Sequence, residues 1–144
     1  MDVMLQNKDY VSAGELGKLL YDHRGMDVLV MDMRPLDFWT DFFVIATVSS
    51  DTHLKGMEKH IKEFALENGL EILRHGGNRI KASLPAEYTT AEWHLVDLGS
   101  IVVHLMTDQT RSFFELERLW SSAPIIYKSE TSTEAAGGKG RDEF

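Results

Sequence analysis

Apolar positions in this chain fall into two spacings, and the switch between them marks its elements. Leu16, Leu19 and Leu20 form a helical stripe behind Ser12 and Glu15, which stand in capping-box relation, and Gly25 offers a stop. The spacing therefore predicts a helix over 12–23. Val28 to Met31 is a short unbroken apolar run, and Phe42 to Val48 is a β-branched and aromatic run of the kind buried on both faces of a sheet. Arg34-Pro35 to Asp41 between them is a loop. Asp51 is placed to cap a second helix, in which Leu54, Met57, Ile61 and Phe64 recur at helical spacing until Asn68-Gly69. With the next run, Leu70 to Leu73, this makes a βαβ unit, which requires a parallel pair and a right-handed crossover.

A polar connection from Gly76-Gly77 to Tyr88 follows, and then two strand runs, Trp93 to Val96 and Ile101 to Met106, turn about Gly99 as a hairpin. If the turn is Leu98-Gly99, Asp97 opposes Ser100, Leu95 opposes Val102 and Trp93 opposes His104. Trp93, Asp97, His104 and Met106 then share one face, while Val96, Ile101, Val103 and Leu105 offer helices the better surface. A face left open with Trp, Met and His on it reads as a protein-docking patch. The alternative is that this face is covered too, with Trp93 in the core, and the pattern leaves both open. Asp108 starts a last helix with Phe113, Leu116 and Trp120 inward, stopped by Pro124. The fold class is α/β, a small mixed β-sheet flanked by helices. One domain is expected over 1–127, with a disordered polar tail over 128–144, where Gly, Ser and Thr replace large apolar residues.

Composition narrows the chemistry. With 144 residues and 43% hydrophobic content, the chain can build one real core. It contains no cysteine, which removes disulfides and thiolate metal sites. Its apolar runs fall far short of the roughly 20 residues needed to cross a bilayer, and its first residues resemble neither a secretory signal nor a transit peptide. A bacterial cytoplasm is the expected location. Fifteen basic residues against 23 acidic give a formal charge of -8, which opposes direct attraction to nucleic acid but suits a basic protein partner. The acidic excess survives removal of the tail.

Candidate catalytic groups are weakly supported. His53 and His60 are helical neighbours without a third ligand at short spacing, so a surface pair is preferred to a metal site. His104 as a general base lacks a nearby nucleophile in a recognisable turn. Gly76-Gly77 has neither P-loop nor dinucleotide spacing. Asp32, Asp37 and Asp41 could suggest carboxylates for Mg²⁺, but they do not stand at alternate strand positions. No cofactor and no metal are expected.

Taken in order, Asp32, Thr40-Asp41-Phe42-Phe43, Ser49-Ser50, Trp93 and Val96-Asp97-Leu98-Gly99 resemble the ribosomal silencing factor family, also called RsfS or Iojap-like. Val102-Val103-His104 and the stretch from Arg111 to Trp120 complete the likeness. The combination of Asp-x-Gly-x-x-Val-x-His with Arg-x-x-x-x-Leu-Glu-x-Leu-Trp is its most specific part. The resemblance implies a domain similar to nucleotidyltransferase folds without their catalytic residues. It further implies binding to protein fourteen of the large ribosomal subunit, a block on joining of the small subunit, lower translation when nutrients are scarce, and a homodimer in isolation. The partner-binding residues expected on this basis are Trp93, Asp97, His104, Met106, Arg111 and Phe114, with Asp97 meeting Lys or Arg on the partner. Phe114 stands where many relatives carry Tyr, so a hydrogen bond from that position is lost. Two rivals remain, a nucleotidyltransferase using Mg²⁺ near Asp32 to Asp41, and a homodimeric scaffold with no ribosomal target.

Overall fold

Two strands whose every residue is buried set the centre of the molecule: β2 (Phe42–Thr47) and β5 (Ile101–Met106). A run apolar on both sides is stable only between neighbouring strands with cover above and below. The computed structural model describes residues 2–76, 93–115, 118 and 120–129, with their side chains except at 2–7, 74–76, 113 and 114. The chain order is α1 (Asp2–Asp22), β1 (Met26–Asp32), a 3-10 turn (Arg34–Leu36), β2, α2 (Asp51–Glu67), β3 (Arg74–Gly76), β4 (Trp93–Asp97), β5, α3 (Asp108–Phe114) and β6 (Ile125–Lys128). The strands form a six-stranded mixed sheet in the order β3-β4-β5-β2-β1-β6. The α/β expectation is met.

The βαβ unit takes a split form. β2 pairs in parallel with β5, while β3 is antiparallel to β4 and β4 to β5. β3 thus runs in the direction of β2 but stands at the far edge, with the β4–β5 hairpin inserted between them. Leu70 to Leu73 is not itself a strand; it leads into β3, with Leu73 N–H donating to Asp97 O at 2.8 Å. The place beside β2 goes to the strand buried on both faces.

The hairpin register is Trp93 opposite Met106, Leu95 opposite His104 and Asp97 opposite Val102, two residues from the expected pairing. The turn is Gly99-Ser100, with Leu98 N–H donating to Ile101 O at 2.8 Å. Gly99 adopts φ of 89°, which a side chain would oppose, and its N–H donates to Asp97 Oδ1 at 2.9 Å. A slip of two preserves the pleat, so the faces are as expected although the partners are not.

α1 starts at Asp2, well before the expected Ser12, because neither glycine nor proline interrupts the chain ahead of Gly14. Ser12 is a buried helical residue, not a cap. In α2 the cap is Ser50, whose hydroxyl accepts from His53 N–H at 3.0 Å, and Asp51 is the first helical residue. α3 starts at Asp108 as expected, with Thr107 as its cap, and ends at Phe114 with Glu115 in the left-handed region at φ of 48°. The expected Phe113–Leu116–Trp120 stripe is therefore not carried by one helix.

β6 was not foreseen. It pairs antiparallel with the outer side of β1, and Ser129 locks the pair: Val28 N–H donates to Ser129 Oγ and Ser129 N–H to Val28 O, both at 2.9 Å. The expected tail boundary after Tyr127 is corrected, since Lys128 and Ser129 belong to the fold; residues 130–144 lie outside the described residues.

α1 and α2 pack on one face of the sheet over Val30, Phe42, Val44, Ala46, Val96, Val103 and Leu105. Contact with α1 is close: a Cβ at Gly17 would stand 2.5 Å from Val30 Cγ2 and 3.1 Å from Tyr127 Cδ2. On the other face Leu29, Met31, Met33, Phe43, Ile45, Trp93, Val102, Met106 and Ala123 form a second core.

Candidate functional site

The second face gathers Trp93, Asp97, His104 and Met106 as the alternation expects, but it is not open. Trp93 is 8% exposed, His104 4%, Asp97 3%, and Met106 is fully buried. Of the two arrangements that the pattern leaves open, these four side chains take the covered one, with Trp93 in the core. Cover comes from the loop after β1, which brings Leu36 and Phe38 back over the sheet, and from the segment after α3, which brings Trp120 and Ala123. The first is remote in sequence from the hairpin, and the second follows it beyond one short helix.

Strand pleating aims Trp93 and His104 at each other on adjacent strands. Trp93 Nε1–H donates to His104 Nδ1 at 3.1 Å. Nδ1 is then an acceptor, so the neutral ring carries its proton on Nε2. Nε2 is buried and has no hydrogen-bond partner among the described residues. Burial alone pushes the imidazole pKa down from 6.5 to about 3, so the ring stays uncharged at neutral pH. A neutral histidine paired with an indole, rather than a carboxylate, is an apolar wall and not a proton shuttle.

From this pair aromatic contacts run outward. The His104 ring meets Phe43 at 4.6 Å, Phe43 meets Trp120 at 5.1 Å and Phe38 at 5.3 Å, and Phe38 meets Trp120 at 5.5 Å, all edge to face. Phe38 in turn touches Trp39 at 5.6 Å. The row begins in the core and ends at Trp39, 58% exposed. Leu95 and Trp120 are half-buried along the way.

Arg111 flanks this row, lining a cavity that Trp120 also borders. The Arg111 Nη1 donates to Thr47 Oγ1 at 3.0 Å, and the cavity, of about 560 Å³ between β1, β6 and α3, is lined as well by Arg118, Lys128, Asp108 and Glu115. Phe114 ends α3, and its side chain lies outside the described residues. The structure thus brings four of the six expected residues onto one face and sets Arg111 at its margin, on Thr47 beside Met106.

The carboxylates considered for Mg²⁺ are dispersed in role. Asp32 is held by Arg34 through Nε–Oδ1 at 2.9 Å and Nη2–Oδ2 at 2.8 Å, and its pKa is lowered, first by this hydrogen bond. His60 stacks on His23 with ring centroids 3.6 Å apart, whereas His53 accepts Ser49 N–H at 3.0 Å and donates to His23 O at 2.9 Å. His53 and His60 thus serve different contacts. Phe38 and Trp39 were missed from the sequence; two adjacent aromatics in a loop that apolar spacing leaves polar were the available signal.

No helix among the described residues is long and apolar enough to cross a membrane. A family model described as ribosomal silencing factor during starvation matches residues 6–143, past the expected boundary at Tyr127. The ribosomal silencing factor RsfS of Treponema pallidum is 38% identical over 114 residues, which cover 79% of this chain and 94% of that protein. The mouse protein named mitochondrial assembly of ribosomal large subunit protein 1 is 33% identical over 107 residues, 74% of this chain and 43% of its own length. Among solved structures, one from Chromobacterium violaceum superposes with a TM-score of 0.60 at 27% identity, covering 87% of this chain and 96% of that one. With the fold, the strand-borne Asp97-to-His104 motif and this match across almost the whole chain, the protein belongs to the ribosomal silencing factor family, RsfS.

Proposed function

We propose that this chain binds the large ribosomal subunit through its protein fourteen and occupies space that the small subunit needs, lowering translation when nutrients are scarce. The observation that carries this reading is the family match over residues 6–143. The name of the mouse relative, which speaks of the ribosomal large subunit, supports the choice of subunit. The formal charge of -8 suits a basic protein partner. Binding and steric exclusion suffice, and no reaction is required of the chain.

In this reading Trp93, His104 and Met106 form the firm floor of the docking face, Asp97 braces the turn beside it by accepting Gly99 N–H, Arg111 supplies a polar contact, and Phe114 contributes from α3. Half-buried Leu95 and Trp120 supply apolar area above the floor. The test is co-sedimentation with purified large subunits, followed by addition of small subunits. The wild-type chain should travel with the large subunit and leave the small one unjoined. Truncating Trp93 to Ala should weaken binding by about 2 kcal/mol or more in a variant whose circular dichroism matches wild type. Free sedimentation of the wild-type chain at modest salt, or unhindered joining, would refute the reading. Self-association through the same face would compete with docking by mass action, so added large subunits should then lower the dimer fraction.

A further inference from the structure

The aromatic row ends on a loop whose construction the docking reading leaves unexplained. Its base is closed by Met33 N–H donating to Asp41 O at 2.8 Å. Inside it, the 3-10 turn carries Pro35 as its second residue, Leu36 N–H donates to Met33 O at 3.1 Å, and Asp37 N–H donates to Arg34 O at 3.1 Å. Asp37 sits in the left-handed region at φ of 54°. Thr40 Oγ1 donates to Gly99 O at 3.0 Å, which ties the loop to the β4–β5 turn. Phe38 is anchored edge-on to Phe43 and Trp120. Such a loop holds one shape, yet it carries Trp39 outward, more exposed than any other described aromatic side chain.

Burying Trp39 against its own chain would be favourable, so a fixed loop that keeps it in water gives up that gain. A large, rigid aromatic presented in advance loses little freedom on binding. The surrounding charge indicates what it meets. Arg34, the only cation of the loop, is held on Asp32 and lies over the Phe42 ring at 5.0 Å, so the loop carries Asp37 and Asp41, two residues to either side of Trp39 in sequence, against no other cation of its own. An exposed indole on an acidic loop favours a Lys or Arg side chain and repels phosphate.

We propose that loop 33–41 is a second contact element that receives a Lys or Arg side chain of a basic protein on the large subunit, on the face of Trp39 and against Asp37. This rests on the docking reading above and adds to it the chemistry of the partner's surface. The chain has no cysteine, so Trp39→Cys creates a single thiol for an aryl-azide photocrosslinker. Leu66→Cys, 84% exposed on α2, serves as the control.

Binding of wild type, Trp39→Ala and Asp37→Asn to purified large subunits is measured by co-sedimentation across a salt series. Asn tolerates the left-handed backbone of Asp37, so that variant removes charge and keeps the loop. Trp39→Ala should weaken binding about ten-fold with an unchanged melting temperature, and Asp37→Asn should weaken it less while flattening the salt dependence. The label at position 39 should crosslink to a ribosomal protein, and the label at 66 should not. If wild type binds and Trp39→Ala binds equally well, the loop proposal falls and the docking reading stands. Crosslinking from position 39 to ribosomal RNA alone would also overturn it. If wild type itself does not bind, the docking reading falls and takes this inference with it.

Discussion

Trp93 and His104 show how one hydrogen bond can fix both a tautomer and a stability. Replacing Trp93 with Phe keeps an aromatic ring but removes the donor, leaving His104 with both ring nitrogens buried and unpaired. Urea denaturation should show a loss of about 1–3 kcal/mol, the cost of a stranded polar group. The histidine also sets a pH dependence. Its folded pKa of about 3 lies below the ordinary 6.5, so at higher pH the ring is neutral in both states and costs nothing. As pH falls from about 6.5 towards 3, the unfolded chain takes up a proton that the folded chain refuses, and stability drops by up to about 1.4 kcal/mol per pH unit. Below about 3 this contribution is constant. Denaturation at pH 7 and pH 5 should differ accordingly, and His104→Phe should remove this part of the slope. Asp32 acts in a separate, more acidic window: its lowered pKa gives stability that is lost only as pH falls through the carboxylate range. The alternation of residues made the shared face of Trp93, His104 and Met106 legible in the sequence. Their burial was left undecided, because Phe38 comes from a loop whose spacing says nothing about where it folds back, and Trp120, read as inward on the last helix, lies beyond the end of that helix at Phe114.

Among the elements, the long central runs were read correctly and the edges were not. β2 and β5 declare themselves because a strand buried on both faces must be apolar throughout. Their parallel pairing was hidden, since Leu70 to Leu73 offered an apolar run directly after α2, and sequence order alone favours the nearer partner. β6 was hidden for a different reason: Ile125-Ile126-Tyr127 is too short beside Pro124 to signal a strand, and Ser129 reads as the start of a polar tail. Its side chain nevertheless closes the β1–β6 pair. A chain ended after Ser129 should therefore melt higher than one ended after Tyr127, by several degrees for a loss of about 1–2 kcal/mol. The same edge explains Gly17, where α1 lies against Val30 and Tyr127. Gly17→Leu should destabilise by about 1–3 kcal/mol despite its better helix propensity, because the clash falls on packed side chains rather than solvent.

At the scale of the whole molecule, charge and shape act at different stages of docking. The formal charge of -8 should speed the approach to a basic surface, so the association rate with large subunits should fall as salt rises from 50 to about 300 mM while dissociation changes less. Stopped-flow measurements at several ionic strengths would show this. The split crossover has another consequence. β1 is completed by β6 from the opposite end of the chain, and β2 by a strand that arrives after a helix and a hairpin. No contiguous half of the polypeptide contains a finished sheet. A protease nick followed by loss of either piece, or a prematurely stopped translation product, leaves a bare ribbon edge prone to clumping rather than a smaller working copy. Under the docking proposal this arrangement is fail-safe, because damaged copies would let go of the ribosome instead of jamming it.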